Sequence, residues 1–192
     1  MSDTVYDEKK DGVMPIVAGV YPAHVAGFET KKLDTKIGEQ KVFNISFQVA
    51  EEVNKMTIIR HEWIDEELVP SVDSDGKDVK ISASFMKGKR FNSRGIWLTE
   101  NPAEGEGWRN RTYVEFFQGL GVEFPKTKDG KTKLAEVEED DIIGQPALVK
   151  INKEFYTNKE GEERSVWKVF TASQWQDGEK LSPEEVGDDV PF

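Results

Sequence analysis

The stretch Thr112-Tyr113-Val114-Glu115-Phe116-Phe117-Gln118-Gly119-Leu120-Gly121 carries the clearest helical period in the chain. Its apolar residues Tyr113, Phe116, Phe117 and Leu120 fall at i, i+3, i+4 and i+7, on one face of a helix. Thr112 and Glu115 stand at capping-box spacing, and Gly121 suits a left-handed C-cap. The pattern predicts a short helix that plugs a core with aromatic rings.

Upstream the pattern is that of strands. VYPAHVAGFETKKL, KVFNISFQVAEEV and KMTIIRHEW show Val, Ile, Phe and Tyr in partial period-two alternation, separated by the turn-like KIGEQ and EEVN. LVPSVDSDGKD is turn chemistry centred on Asp75-Gly76, and VKISASFMKGKRF resumes a strand-like pattern. Pro102, Gly105 and Gly107 then make a loop before the helix. Downstream, after the polar PKTKDGKTK and the acidic EVEEDD, DIIGQPALVKINKEFY and ERSVWKVFTASQW read as two strands joined by TNKEGEE. Several strands, one helix and a closing hairpin follow the order of an OB-type barrel, in which a helix between strands three and four plugs one end. The expected fold is mainly β: an OB-like antiparallel barrel of about five to seven strands with one short helix, the run near 80–91 being an elaboration. Residues 1–15 read as a flexible arm, 16–175 as the domain, and 176–192 as a disordered acidic tail without apolar periodicity.

At 192 residues with 36% apolar and 33% charged side chains, the chain is polar yet holds five Trp, four Tyr and eleven Phe, enough for one core. No stretch approaches the roughly 18 apolar residues of a spanning helix, and MSDTVYDEKKDG lacks the apolar core of a signal peptide, so the chain is expected to have no membrane partner. The absence of cysteine excludes disulfides, thiol nucleophiles and thiolate metal sites, and fits a reducing cytoplasm.

The net charge of −11 opposes a nucleic-acid partner at first sight. Its distribution matters more. Residues 177–192 hold Asp177, Glu179, Glu184, Glu185, Asp188 and Asp189 against Lys180, a net of −5 that leaves −6 for the remainder. Lys80 to Arg94 contains five cations and no acid.

Enzyme motifs are weak. His61-Glu62 begins like a zinc-protease helix, but Asp65 stands where the second histidine belongs and the surroundings read as strand. Asp73-Ser74-Asp75-Gly76 has its glycine too early for a calcium loop and reads as a turn. There is no phosphate-binding Gly-rich loop and no nucleophile elbow. No catalytic residue, metal site or cofactor is assigned, and a non-enzymatic role is expected. Scattered carboxylates leave a metal-dependent nuclease as a rival.

The basic stripe interleaves Phe85, Phe91 and Trp97 with Lys87, Lys89, Arg90 and Arg94. Single-strand binding needs this mixture, cations along the phosphates and π-faces for the bases. The alternative is a strand whose rings point into the core and whose lysines are solvated. The terminal hairpin supplies Lys150, Lys153 and Tyr156; period two puts Tyr156 and Phe155 on opposite faces, with Tyr156 the better candidate for binding, and Trp167 and Phe170 are expected in the core. Trp108-Arg109-Asn110-Arg111 lies just before the helix, where its guanidinium groups either hold phosphate or balance Glu104 and Glu106.

The chain ends Asp188-Asp189-Val190-Pro191-Phe192. This ending resembles the C-terminal tip of bacterial single-stranded DNA-binding proteins, an acidic run followed by Ile-Pro-Phe. The body, through GVYPAHV, YVEFFQGLGVEF, IIGQPALVKI and VWKVF, looks like the small OB-fold single-stranded DNA-binding proteins of phages. The resemblance implies sequence-independent binding of single-stranded DNA in phage DNA replication, recombination and repair, in the host cytoplasm. It also implies that Asp188, Asp189, Val190, Pro191 and Phe192 recruit replication and recombination proteins. Physically, a terminal phenylalanine offers a ring and an α-carboxylate to a small apolar pocket rimmed by Arg or Lys. Val in place of Ile, and only two adjacent Asp, weaken that match. The rival from another class is an adaptor or decoy that uses the acidic tail without touching nucleic acid.

Overall fold

A computed structural model describes residues 14–65 and 67–187. The N-terminal residues to 13 and the tip from Asp188 to Phe192 lie outside them.

The described residues form two compact units, one of 14–17 and 51–87, the other of 18–50 and 88–187. The smaller unit pairs β3 (Thr57–Ile59) with β6 (Lys80–Ser82), and β4 (His61–Ile64) with β5 (Glu67–Pro70). The Asp73-Gly76 turn forms as its residues dictate: Asp73 Oδ1 accepts from the amides of Asp75 and Lys77, both at 2.9 Å, and Gly76 takes φ +76°. The strand-like run VKISASFMKGKRF is broken by a 3-10 turn over Ala83–Met86, so Phe85 sits in a turn.

The larger unit is the barrel. Its six-stranded sheet runs β10 (Glu163–Gln174), β9 (Pro146–Thr157), β1 (Gly19–Thr35), β2 (Gly38–Val49), β7 (Arg90–Asn92), with β8 (Ile96–Thr99) also paired to β2. All these pairs are antiparallel. The sheet closes through a parallel bridge, Ser93 to Val169, where the Arg94 amide donates to the Val169 carbonyl at 3.0 Å. Buried Ser93 also ties this seam to β2, its hydroxyl oxygen accepting from the Ile45 amide at 2.9 Å. The OB-like topology expected from the element order is therefore present, with a closing contact that is parallel.

Period-two alternation fills the interior. Tyr21, Ala23 and Val25 of β1, Phe43, Ile45 and Phe47 of β2, Ile96 and Leu98 of β8, Ala147, Val149 and Ile151 of β9, and Val169 of β10 are all buried. The predicted helix is α1 (Arg111–Gly119). Tyr113, Phe116, Phe117 and Leu120 are buried as the spacing requires, and their rings meet those of β2: Phe43 lies 5.3 Å from Tyr113 and 5.7 Å from Phe117. Burial pushes the Tyr113 phenol up to about 12; its hydroxyl donates to the Ala135 carbonyl at 2.8 Å and accepts from the Val137 amide. The helix ends as predicted, Gly121 at φ +82° with the Val122 amide donating to Phe117 and the Gly121 amide to Gln118. Its start differs. A 3-10 turn over Gly107–Asn110 feeds straight into α1, so Thr112 is already inside the first turn; Asn110 turns its amide to the Thr99 backbone, and Glu115 pairs with Arg111 at 2.7 Å. A single further turn, α2 (Glu139–Ile142), carries the capping box instead, between Glu138 and Asp141.

Residues 176–187, read from composition as unfolded, lie along the barrel. The Leu181 amide donates to the Gly144 carbonyl at 3.0 Å, His24 Nε2 contacts the Glu179 carbonyl at 3.0 Å, Val186 is buried, and Arg90 donates to the Val186 and Gly187 carbonyls at 3.3 and 2.7 Å. Isolated anchors of this kind leave no periodicity in the sequence. Gly144 is the tightest of them, with φ +75° and an added Cβ only 1.9 Å from the Leu181 carbonyl oxygen. Gly144→Ala should dislodge the segment, and tryptic cleavage after Lys180 is expected to speed up roughly tenfold or more. An unchanged cleavage rate would show that Gly144 does not hold it.

Among the described residues no helix is long and apolar enough to cross a membrane.

Candidate nucleic-acid interface

Trp97 occupies the outward position of β8, between inward Ile96 and Leu98. It stands opposite Val42 of β2, which stands opposite Lys31 of β1, so the three share one row on the barrel's outer face. Val42 and the close backbone of Gly95 fix the indole from below: a Cβ on Gly95 would lie 3.0 Å from Val42 and 3.4 Å from the indole nitrogen. The ring is 40% exposed. With Ile37, Gln40 and the turn residues Thr35 and Lys36, it lines an open, mainly apolar hollow of about 340 Å³. Leu33, opposite Gln40, is also exposed.

The β9–β10 hairpin runs past the last interior pair, Ile151 and Val169, before it turns. Asn158 builds the turn, its side-chain oxygen accepting from the amides of Glu160 and Glu162 at 3.0 and 2.8 Å, with Gly161 at φ +82°. Beyond the barrel both faces of this ribbon are open. Tyr156 is 50% exposed and Phe155 65%, so exposure does not single out Tyr156 from its neighbour on the opposite face. Trp167, opposite Lys153, is half-buried rather than in the core, and the Lys153 ammonium lies 5.4 Å over its ring. Phe170 is likewise half-buried, under the Arg94 guanidinium at 4.8 Å.

The basic stripe is divided. Phe85 and Lys87 belong to the smaller unit, Phe85 half-buried and Lys87 paired with Glu51 at 2.9 Å. Lys89, Arg90, Phe91, Arg94 and Trp97 belong to the barrel. Phe91 is a correction to the expected stacking set: it faces inward opposite Phe47 and is only 5% exposed, because β7 pairs with β2 in the register that sends it to the core. Arg90 is engaged by the carbonyls of residues 186 and 187. Lys150 lies exposed in another row, with Val20 and Thr171.

Arg94 and Trp97 do come together. They share a cleft of about 390 Å³ with Arg109, Thr112, Glu154 and Phe170. Arg94 Nε donates to Glu154 at 2.8 Å, and Arg109 donates through Nε and Nη2 to Glu106 at 3.0 and 3.1 Å. The Arg109 hydrogen bonds hold the Glu106 carboxyl below the usual carboxylate range. Arg109 also lies 4.8 Å over the ring of Trp108, which is 66% exposed. The balancing role of Glu106 is thus present, and the ring of Trp108, to which the sequence reading of this cluster gave no role, is exposed beside it.

Among the described residues, no three His, Asp or Glu side chains are grouped as metal ligands. His61 contacts the carbonyl of Ile59 at 3.0 Å. Comparison with known protein families and with curated proteins finds no match to this chain.

Proposed function

We propose that this chain binds single-stranded DNA without sequence preference and, through Asp188 to Phe192, recruits proteins of phage DNA replication and recombination in the host cytoplasm. The observation that carries the reading is the set of exposed rings, Trp97, Phe155 and Tyr156, on the strands of a barrel that buries Tyr21, Phe43, Phe47 and Phe91 and half-buries Phe28, Trp167 and Phe170. An exposed ring on a strand offers a π-face on which a base can stack. Every base has a π-face, so stacking tolerates any sequence, while Arg94 in the cleft with Trp97 and Lys153 on the hairpin suit a phosphate backbone. With a net charge of −11 the whole molecule does not attract DNA, so the contacts must be local.

The tip supplies the second half of the reading. Asp188 and Asp189 favour encounter with a basic rim, Pro191 lowers the ordering cost, and Phe192 offers a ring to an apolar pocket.

Labelled oligo-dT, oligo-dC and duplex of equal length test the first half: comparable binding of both single strands and weak binding of duplex is expected. Duplex binding equal to single-strand binding would overturn it. Deleting Phe192 should abolish partner capture while oligo-dT affinity stays equal or becomes tighter. Capture that survives the deletion would show that the tip is not the recruiting element.

A further inference from the structure

The cleft that holds Arg94 and Arg109 differs from the open hollow beside Ile37. At about 390 Å³ it falls in the lower part of the range of small-ligand pockets, about 300–1,000 Å³, which admits one nucleotide and not a run of them. Its two cations share a construction. Each guanidinium is backed by an aromatic ring at 4.8 Å, Phe170 under Arg94 and Trp108 under Arg109, and each is held by a carboxylate, Glu154 or Glu106. A guanidinium has five N–H donors in a fixed plane, and these carboxylates take one from Arg94 and two from Arg109. The rest meet no hydrogen-bond acceptor among the described residues, in an orientation fixed by ring and carboxylate. Such preset forks suit a phosphate. Trp97, in the same lining, presents an indole to a base, and Thr112 adds a hydroxyl.

We infer that this cleft is a single-nucleotide pocket on the path of the bound strand, taking one phosphate on Arg94 and Arg109 and the attached base against Trp97. The inference rests on the single-strand reading above and adds a discrete subsite to it. Glu154 has a defined part: it orients Arg94 yet places a negative charge in the wall of an anion site, so it restrains affinity. Removing its charge while keeping its shape should therefore tighten binding, whereas a pair that served only to support the fold would show no gain.

The test compares the unaltered chain, Arg109→Gln and Glu154→Gln by titrating labelled oligo-dT at several salt concentrations, with thermal melting to confirm that each variant is folded. Arg109→Gln is expected to weaken binding about tenfold and to make the log–log salt slope shallower by about 0.7, as when one phosphate is no longer neutralised. Glu154→Gln is expected to tighten binding roughly threefold. Thymidine 5′-monophosphate alone should shift the NMR signal of the Trp97 indole N–H, identified by its disappearance in Trp97→Phe. If the unaltered chain binds oligo-dT while both variants match it in affinity and slope, the pocket is overturned and the single-strand reading stands. If the unaltered chain does not bind oligo-dT at all, the reading falls and the pocket with it.

Discussion

Phe117→Ala is expected to destabilise the barrel by about 3–5 kcal/mol, the range for removing a fully buried phenylalanine. Phe117 has no exposed surface and its ring lies 4.8 Å from Tyr113, 5.7 Å from Phe43 and 6.0 Å from Phe116. Alanine leaves a cavity among rings that cannot collapse, because α1 is already seated against backbone. At Gly119 the helix meets β10 so closely that an added Cβ would lie 2.0 Å from the Ala172 carbonyl oxygen. Urea denaturation checks the effect as a lower midpoint at unchanged slope. A loss below about 1 kcal/mol would mean that the helix does not plug the core. Since a typical domain has only about 5–15 kcal/mol in total, the variant should be partly unfolded at warm temperatures.

Trp97→Ala is expected to leave the fold nearly intact and weaken oligo-dT binding by about 5- to 150-fold, the equivalent of about 1–3 kcal/mol for one base stack removed. The indole lines both the hollow beside Ile37 and the cleft of Arg94 and Arg109, so its removal is expected to have the largest effect of any single ring. Trp97→Phe keeps a π-face and should retain most of the affinity. Phe155→Ala and Tyr156→Ala are expected to have smaller effects, since each ring stands on the ribbon beyond the last interior pair and lines neither the cleft nor the hollow that Trp97 lines. Equal affinity for Trp97→Ala and the unaltered chain would remove Trp97 from the interface. Thermal melting of the same samples separates a missing stack from a disturbed fold.

What was legible in the sequence depended on whether the signal was local. The helix was legible because four apolar residues at helical spacing and a terminal glycine act within ten positions, and all five behave as their chemistry predicts. The order of strands, helix and hairpin followed from turn residues and period two, and it sufficed for an OB-like barrel. The register of three-residue β7 was not legible, since its length is too short for alternation to decide whether Phe91 faces in or out. Thr112 and Glu115 matched a capping box in spacing, but the 3-10 turn before them moved the start of the helix.

The candidate site was legible in part. Period two correctly separated Phe155 from Tyr156; it carried no information on how far the hairpin reaches beyond the barrel, and that distance leaves both rings exposed. The stripe Lys80–Arg94 is continuous in sequence yet crosses from one compact unit to the other after Lys87. Arg94, Arg109 and Glu154 meet only through the barrel's closure and the packing of α1, which join residues far apart in the chain. The docking of residues 176–187 rests on single anchors, Val186, Gly144 and Arg90, with no repeat to reveal them.

The central claim is that the barrel itself binds single strands, and its most direct test is an anisotropy titration of labelled oligo-dT from low to high salt. The full chain is compared with a chain ending at Gly187, which keeps the docked segment and removes the tip. Both forms are expected to bind, with affinity falling on a log–log plot at a slope near −0.7 for each phosphate neutralised. Absence of binding by both forms at the lowest salt would contradict the account.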